Sequence, residues 1–197
     1  MMLTSMQTAE EFSDVIPVFA RAWNMAWDDL RDRFNEPGWD NSTRSHVIQM
    51  QAVNHARELF NGSPDVAYFR VNNRHVFQVR DNGLFKFKQL DENHCSSNYP
   101  TLAAHEFENQ GRLPGLDDCQ RFTVGFIANP DWTDYVGIYI TFPNGLRRKP
   151  NWVLDITSGV AVDIESLQEE FDERISQPER RFKPIKQPRK RKIDGNI

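Results

Sequence analysis

Cysteine is scarce in this chain of 197 residues: Cys95 and Cys119 are the two it has. That is too few for the disulfide framework of a small secreted domain, so stability must come from apolar burial. Long hydrophobic runs are lacking too. No apolar stretch approaches the ~18 residues needed to cross a bilayer, and the first residues do not read as a charged region, apolar run and cleavage site. These absences predict a cytoplasmic protein without a membrane segment, monomeric or weakly associating. The chain also lacks G-x-x-x-x-G-K-[ST], G-x-G-x-x-G and G-x-S-x-G, which removes the usual sequence routes to P-loop, dinucleotide and serine-hydrolase chemistry.

What the chain does hold is aromatic. Fourteen Phe and five Trp within a 39% hydrophobic composition supply a large core and exclude wholesale disorder. Charge is unevenly placed. The net charge is −4, yet from Arg174 to the end nine basic residues face two acidic ones, +7, which leaves −11 on everything before. An acidic body therefore carries a basic, proline-containing end, PERRFKPIKQPRKRK at 178–192.

Periodicity gives the elements. Thr8 and Glu11 fit a capping box, followed by an apolar stripe through Phe12, Phe19, Trp23, Trp27 and Leu30 at helical spacing. Pro17 within that stripe predicts either a kink or the first turn of a second helix. Another helix is expected over 43–60, closed by Asn61-Gly62. His46 and His55 lie on it, nine residues apart, and read as surface or packing histidines.

From Val66 the period becomes two. Strands are expected over 66–71, 75–80, 84–90, 122–128, 135–142 and 151–156, with a last helix over 163–175. The turn at Asp81-Asn82-Gly83 predicts a bulged hairpin with Gly83 left-handed, pairing Val79 with Phe85, Phe77 with Phe87 and Gln78 with Lys86. Between the two runs of strands lies a connection of about 30 residues (91–121), with a short helix near 101–109. The fold class is α+β: two N-terminal helices, about six mostly antiparallel strands with a long central loop, and one C-terminal helix. The expected organisation is one domain over 1–176 and a disordered tail over 177–197.

Candidate chemistry falls into three sets. His94, Cys95, His105 and Cys119 are zinc-ligand types, but none of the close C-x₂-C or H-x₃-H spacings of structural sites is present. His105, Glu106 and Glu108 in HEFENQG could support metal-assisted hydrolysis or acid–base work, although position 109 is Asn and the H-E-x-x-H signature fails. Asp155, Asp163 and Glu165 resemble a nuclease carboxylate set only in part, because the accompanying strand lysine is missing.

The third set is basic. Arg80, Lys86 and Lys88 are expected on the hairpin face opposite Phe77, Phe85 and Phe87, and Arg147, Arg148 and Lys149 form a turn. The tail adds Arg180, Arg181, Lys183, Lys186, Arg189, Lys190, Arg191 and Lys192. Such cations can follow a phosphate backbone, although strand lysines also serve simply to keep one face wet.

The function expected is therefore a non-enzymatic binding or regulatory protein. It would contact a protein partner and, through the tail, DNA or RNA, in the manner of a prokaryotic or phage toxin–antitoxin or defence accessory component. No cofactor is required. The alternative is a hydrolase or nuclease on the His105, Glu106, Glu108 segment, with zinc or another divalent metal.

Overall fold

The computed structural model describes residues 2–34, 38–71, 74–96, 101–110, 119–145 and 148–165. The chain opens with α1 (Ser5–Glu11) and α2 (Ile16–Asp29), which passes into a π-helical turn over Leu30–Phe34, and then α3 (Asn41–Leu59). Strands β1 (Val66–Val71), β2 (Arg74–Val79) and β3 (Gly83–Gln89) follow, then α4 (Leu102–Glu108). The last strands are β4 (Gln120–Ala128), β5 (Tyr135–Phe142), β6 (Trp152–Asp155) and β7 (Val162–Asp163). This is an α+β fold on one seven-stranded sheet whose spatial order is the sequence order.

All neighbouring strands are antiparallel except β3 and β4, which run parallel. That one pairing explains the long connection expected at 91–121. Parallel neighbours need a crossover that carries the chain back across the sheet, and α4 lies within it.

Local chemistry sets the helix starts, with one correction. The capping box at the first helix uses Thr4 and Gln7, one turn before the Thr8–Glu11 pair. Thr8 is buried and donates its hydroxyl to the Thr4 carbonyl, 2.9 Å. Pro17 stands in the first turn of α2, where a missing N–H costs nothing, so the proline begins a helix and does not kink one. Asp40 caps α3 through Thr43 N, 2.7 Å, and Gly62, at φ +81°, turns the chain after it.

The β2–β3 hairpin differs from expectation by two residues. Phe77 faces Phe85, Val76 faces Lys86 and Val79 faces Gly83. The left-handed residue is Arg80, at φ 50°, while Gly83 begins β3. A slip of two leaves every side chain on its expected face, because the pleat repeats every two residues. Gly83 is selected by packing: a Cβ there would lie 2.8 Å from the rings of Phe12 and Phe85.

The core lies between α1–α3 and one sheet face. Phe12 meets Phe85 and Phe122, Phe19 meets Phe77 and Phe87, Trp23 stacks on Phe87, and Trp27 meets Phe126. The helical stripe thus crosses the sheet ring by ring, each pair adding ~0.5–1.5 kcal/mol beyond burial. The helix expected over 163–175 falls mostly outside the described residues; of its first three positions Asp163 belongs to β7, paired to Leu154, and Ile164 and Glu165 are helical.

Candidate functional site

Helix α4 packs on part of the second sheet face, over Lys86 and Arg121. Its buried side presents Ala104, Phe107 and Glu108, and Thr101 caps it by accepting from Ala104 N, 3.2 Å. Arg121 of β4 donates to the Glu106 carbonyl, 3.0 Å, placing a cation at the helix C-terminus where the dipole favours one. Gln110 clasps the Arg121 backbone at N and O, 3.0 and 2.9 Å.

This cover corrects the reading of Lys86 as part of a wet, basic face. Lys86 is 6% exposed, forms an ion pair with Glu108, and holds Nζ 4.4 Å from the Phe107 ring centre. Loss of water pushes its pKa down to about 8, against the opposing pull of the Glu108 charge and hydrogen bond. At neutral pH the ammonium is still mostly protonated.

The same geometry disperses the acid–base set. Glu108 accepts from Lys86 and from Ser96 Oγ, 2.6 Å, so it enters metal binding or proton transfer only by breaking a buried ion pair. His105 is exposed, with Nδ1 2.8 Å from Asn109 Nδ2, and Glu106 is half-buried. Residues 105–110 are the end of a helix and its following turn, with His105 exposed, Glu106 half-buried and Glu108 buried.

The zinc-type residues are likewise separate. The His94 ring stands edge-on to Tyr139, 4.6 Å, and burial lowers its pKa. Cys95 Sγ donates to the Arg148 carbonyl, 3.2 Å, and Cys119 Sγ to the Asp81 carbonyl, 3.2 Å, beside the β2–β3 turn. Burial and the charges of Asp91 and Glu108 push the Cys95 thiol up, away from the thiolate a soft metal prefers. Among the described residues no group of three or more His, Cys, Asp or Glu could hold a metal ion. Asp155 accepts from Thr157 N and Asp163 from Glu165 N, both local turns, while Asp163 also accepts from Ser5 Oγ and so ties β7 to α1.

The remaining basic candidates fall into distinct places. Arg80 straps the hairpin turn to the first helical segment, donating to the Glu11 carbonyl, 2.7 Å, and to Asp14, 2.5 Å. Arg148 and Lys149 are exposed. Arg147 and the tail cations Arg180 to Lys192 lie outside the described residues.

Lys88 is the informative case. The β2–β3 pairing stops at Val76–Lys86, although continuing it would set Arg74 opposite Lys88. Like charges directly opposed destabilise a ladder, and here the strands part. The cavity between them holds about 180 Å³. Gln49 of α3 reaches it from one side and Thr101 from the other, with Arg74, His75, Lys86 and Lys88 along its walls.

Arg74 donates to Thr101 Oγ1, 2.9 Å, and the His75 Nδ1 sits 2.5 Å from the Tyr68 hydroxyl. Burial lowers the His75 pKa, and Arg70, Arg57, His46 and Lys88 lower it further by their charge. Burial likewise lowers that of Lys88, with Arg74 adding to it. Sequence reasoning missed Arg74, His75, Gln49 and Thr101. The available signal was the hairpin itself, whose true register puts two cations face to face.

His55 also takes a role beyond simple packing: its Nε2 lies 2.6 Å from Asp29 Oδ2, joining α3 to the end of α2. Compared with protein-family models, curated proteins and solved structures, the chain matches none. No helix among the described residues is long and apolar enough to cross a membrane.

Proposed function

We propose that this chain is a non-catalytic binding protein for nucleic acid, engaging it first through the basic C-terminal segment and acting as a regulatory partner of another protein. The observation that carries the reading is the charge segregation, +7 from Arg174 onward against −11 before it. Eight of those cations fall within 180–192, a density of positive charge matched to a phosphate backbone. Repulsion between the acidic body and a polyanion would leave the basic segment as the first point of contact.

Two features support binding over catalysis. Glu108, the buried acid of the HEFENQG segment, is already held by Lys86 and Ser96. Strand β1 lies at one end of the sheet order, and an edge strand is a common docking element for a protein partner. The context expected, an accessory component of a toxin–antitoxin or defence system, is part of the same proposal.

The test is a gel-shift comparison of the full chain with one ending at residue 176, on single- and double-stranded DNA and RNA at low salt. The full chain should bind and the shortened one should lose most of that binding. Full-length protein with no affinity for any of the four would end this reading.

A further inference from the structure

The cavity between β2 and β3 does not stand alone. A second depression of about 450 Å³ adjoins it through two shared residues, Gln49 and Lys88, and is lined on its far side by His46 and Trp132. The first compartment is lined by three cations, Arg74, Lys86 and Lys88. The second offers an aromatic wall, Trp132, which is partly buried against Phe126.

Lys88 sits where they meet. It is half-buried, and no carboxylate among the described residues forms an ion pair with it. Lysine is seldom withdrawn from water without a partner. The charge of Glu108 acts on Lys88 from a distance, but its carboxylate is bonded to Lys86 and Ser96. Arg74 and Lys88 share this cavity just beyond the last paired residues and repel one another, and an anion between them would turn that repulsion into attraction on both sides.

We infer that this two-compartment groove binds a nucleoside 5′-phosphate, its phosphate between Arg74 and Lys88 and its base against Trp132. An Arg fork gives directional hydrogen bonds to phosphate oxygens, while the Lys ammonium acts as a point charge. An aromatic face accepts any base by stacking, at ~1–3 kcal/mol per base, which gives affinity without sequence choice.

The 5′-phosphate has two sources, the end of a nucleic-acid strand or a free mononucleotide. The strand end is the form that rests on the nucleic-acid reading given above; the groove chemistry is shared by both.

The experiment uses the full chain and four probes: a short single-stranded oligonucleotide with a 5′-phosphate, the same strand with a 5′-hydroxyl, a nucleoside 5′-monophosphate, and inorganic phosphate. The 5′-phosphorylated strand should bind roughly tenfold more tightly than its 5′-hydroxyl twin, the size of one added charge-assisted contact. Lys88→Gln and Arg74→Gln should each remove that advantage, and Lys88→Arg should retain part of it. Trp132→Ala should weaken the monophosphate and leave inorganic phosphate unchanged. Unaltered circular dichroism and melting in Lys88→Gln would show that the fold is intact.

Equal affinity for the two strands, with no binding of the monophosphate, overturns the inference and leaves the tail-based reading standing. Binding of the monophosphate with no affinity for either strand upholds the groove and overturns the nucleic-acid reading. An advantage that survives both Lys88→Gln and Arg74→Gln places the phosphate elsewhere and ends the assignment.

Discussion

Lys86 carries a charge into a place with almost no water, and Glu108 is what makes that tolerable. Removing one member of such a pair strands the other, whereas replacing both with apolar groups of similar size does not. Glu108→Ala should therefore destabilise the protein by about 3–5 kcal/mol in urea unfolding. The Lys86→Met, Glu108→Leu double variant should recover most of that loss; a double variant as unstable as the single one would contradict this account. The pH dependence has a defined sign. Because the folded pKa of Lys86 is about 8 against an ordinary 10.5, the unfolded chain holds more protons between those values. The cost of burying the charge is complete below pH 8, and stability relative to the double variant should rise as pH climbs from 8 to 10.5, by up to about 3 kcal/mol. Denaturation at fixed pH steps reads it directly. None of this was visible in the residues alone, because Lys86 alternates with Phe85 and Phe87 as an exposed strand lysine would. Its burial depends on where α4 lands.

Among the elements, those set by nearest neighbours were legible and those set by distant pairing were not. Strands β1 and β5 coincide with the spans expected from a period of two, and α4 and α3 lie within two residues of theirs. The capping residue of α1 was misplaced by one turn because Thr4 and Thr8 both precede plausible helix starts. Thr4→Ala should cost about 1 kcal/mol by the loss of its bond to Gln7 N. The parallel β3–β4 pair had no local signature at all, since a strand's direction in a sheet is decided by its connection. Gly83 was read as a turn residue on the strength of Asn82-Gly83, yet it is the close approach of Phe12 that needs it. Gly83→Ala should therefore destabilise by ~1–3 kcal/mol through overpacking, with no backbone strain involved, and thermal melting distinguishes this from a neutral change. The groove at Lys88 was illegible for a related reason. Its lining follows from a hairpin register shifted by two from the one the turn sequence implied, which brings Arg74 and not Val76 level with Lys88.

At the scale of the whole molecule, the account rests on electrostatics spread unequally along one chain. An acidic body should repel a polyanion, and the basic end should attract it, so binding should be dominated by counterion release. Such binding is sensitive to salt in a way that apolar docking is not. The most direct measurement is the affinity of the full chain for a short single strand across a series of salt concentrations. The logarithm of the association constant should fall against the logarithm of salt with a slope steeper than about −3, the value for about four phosphate contacts on a single strand. A slope near zero, or no measurable binding at the lowest salt, would contradict the account.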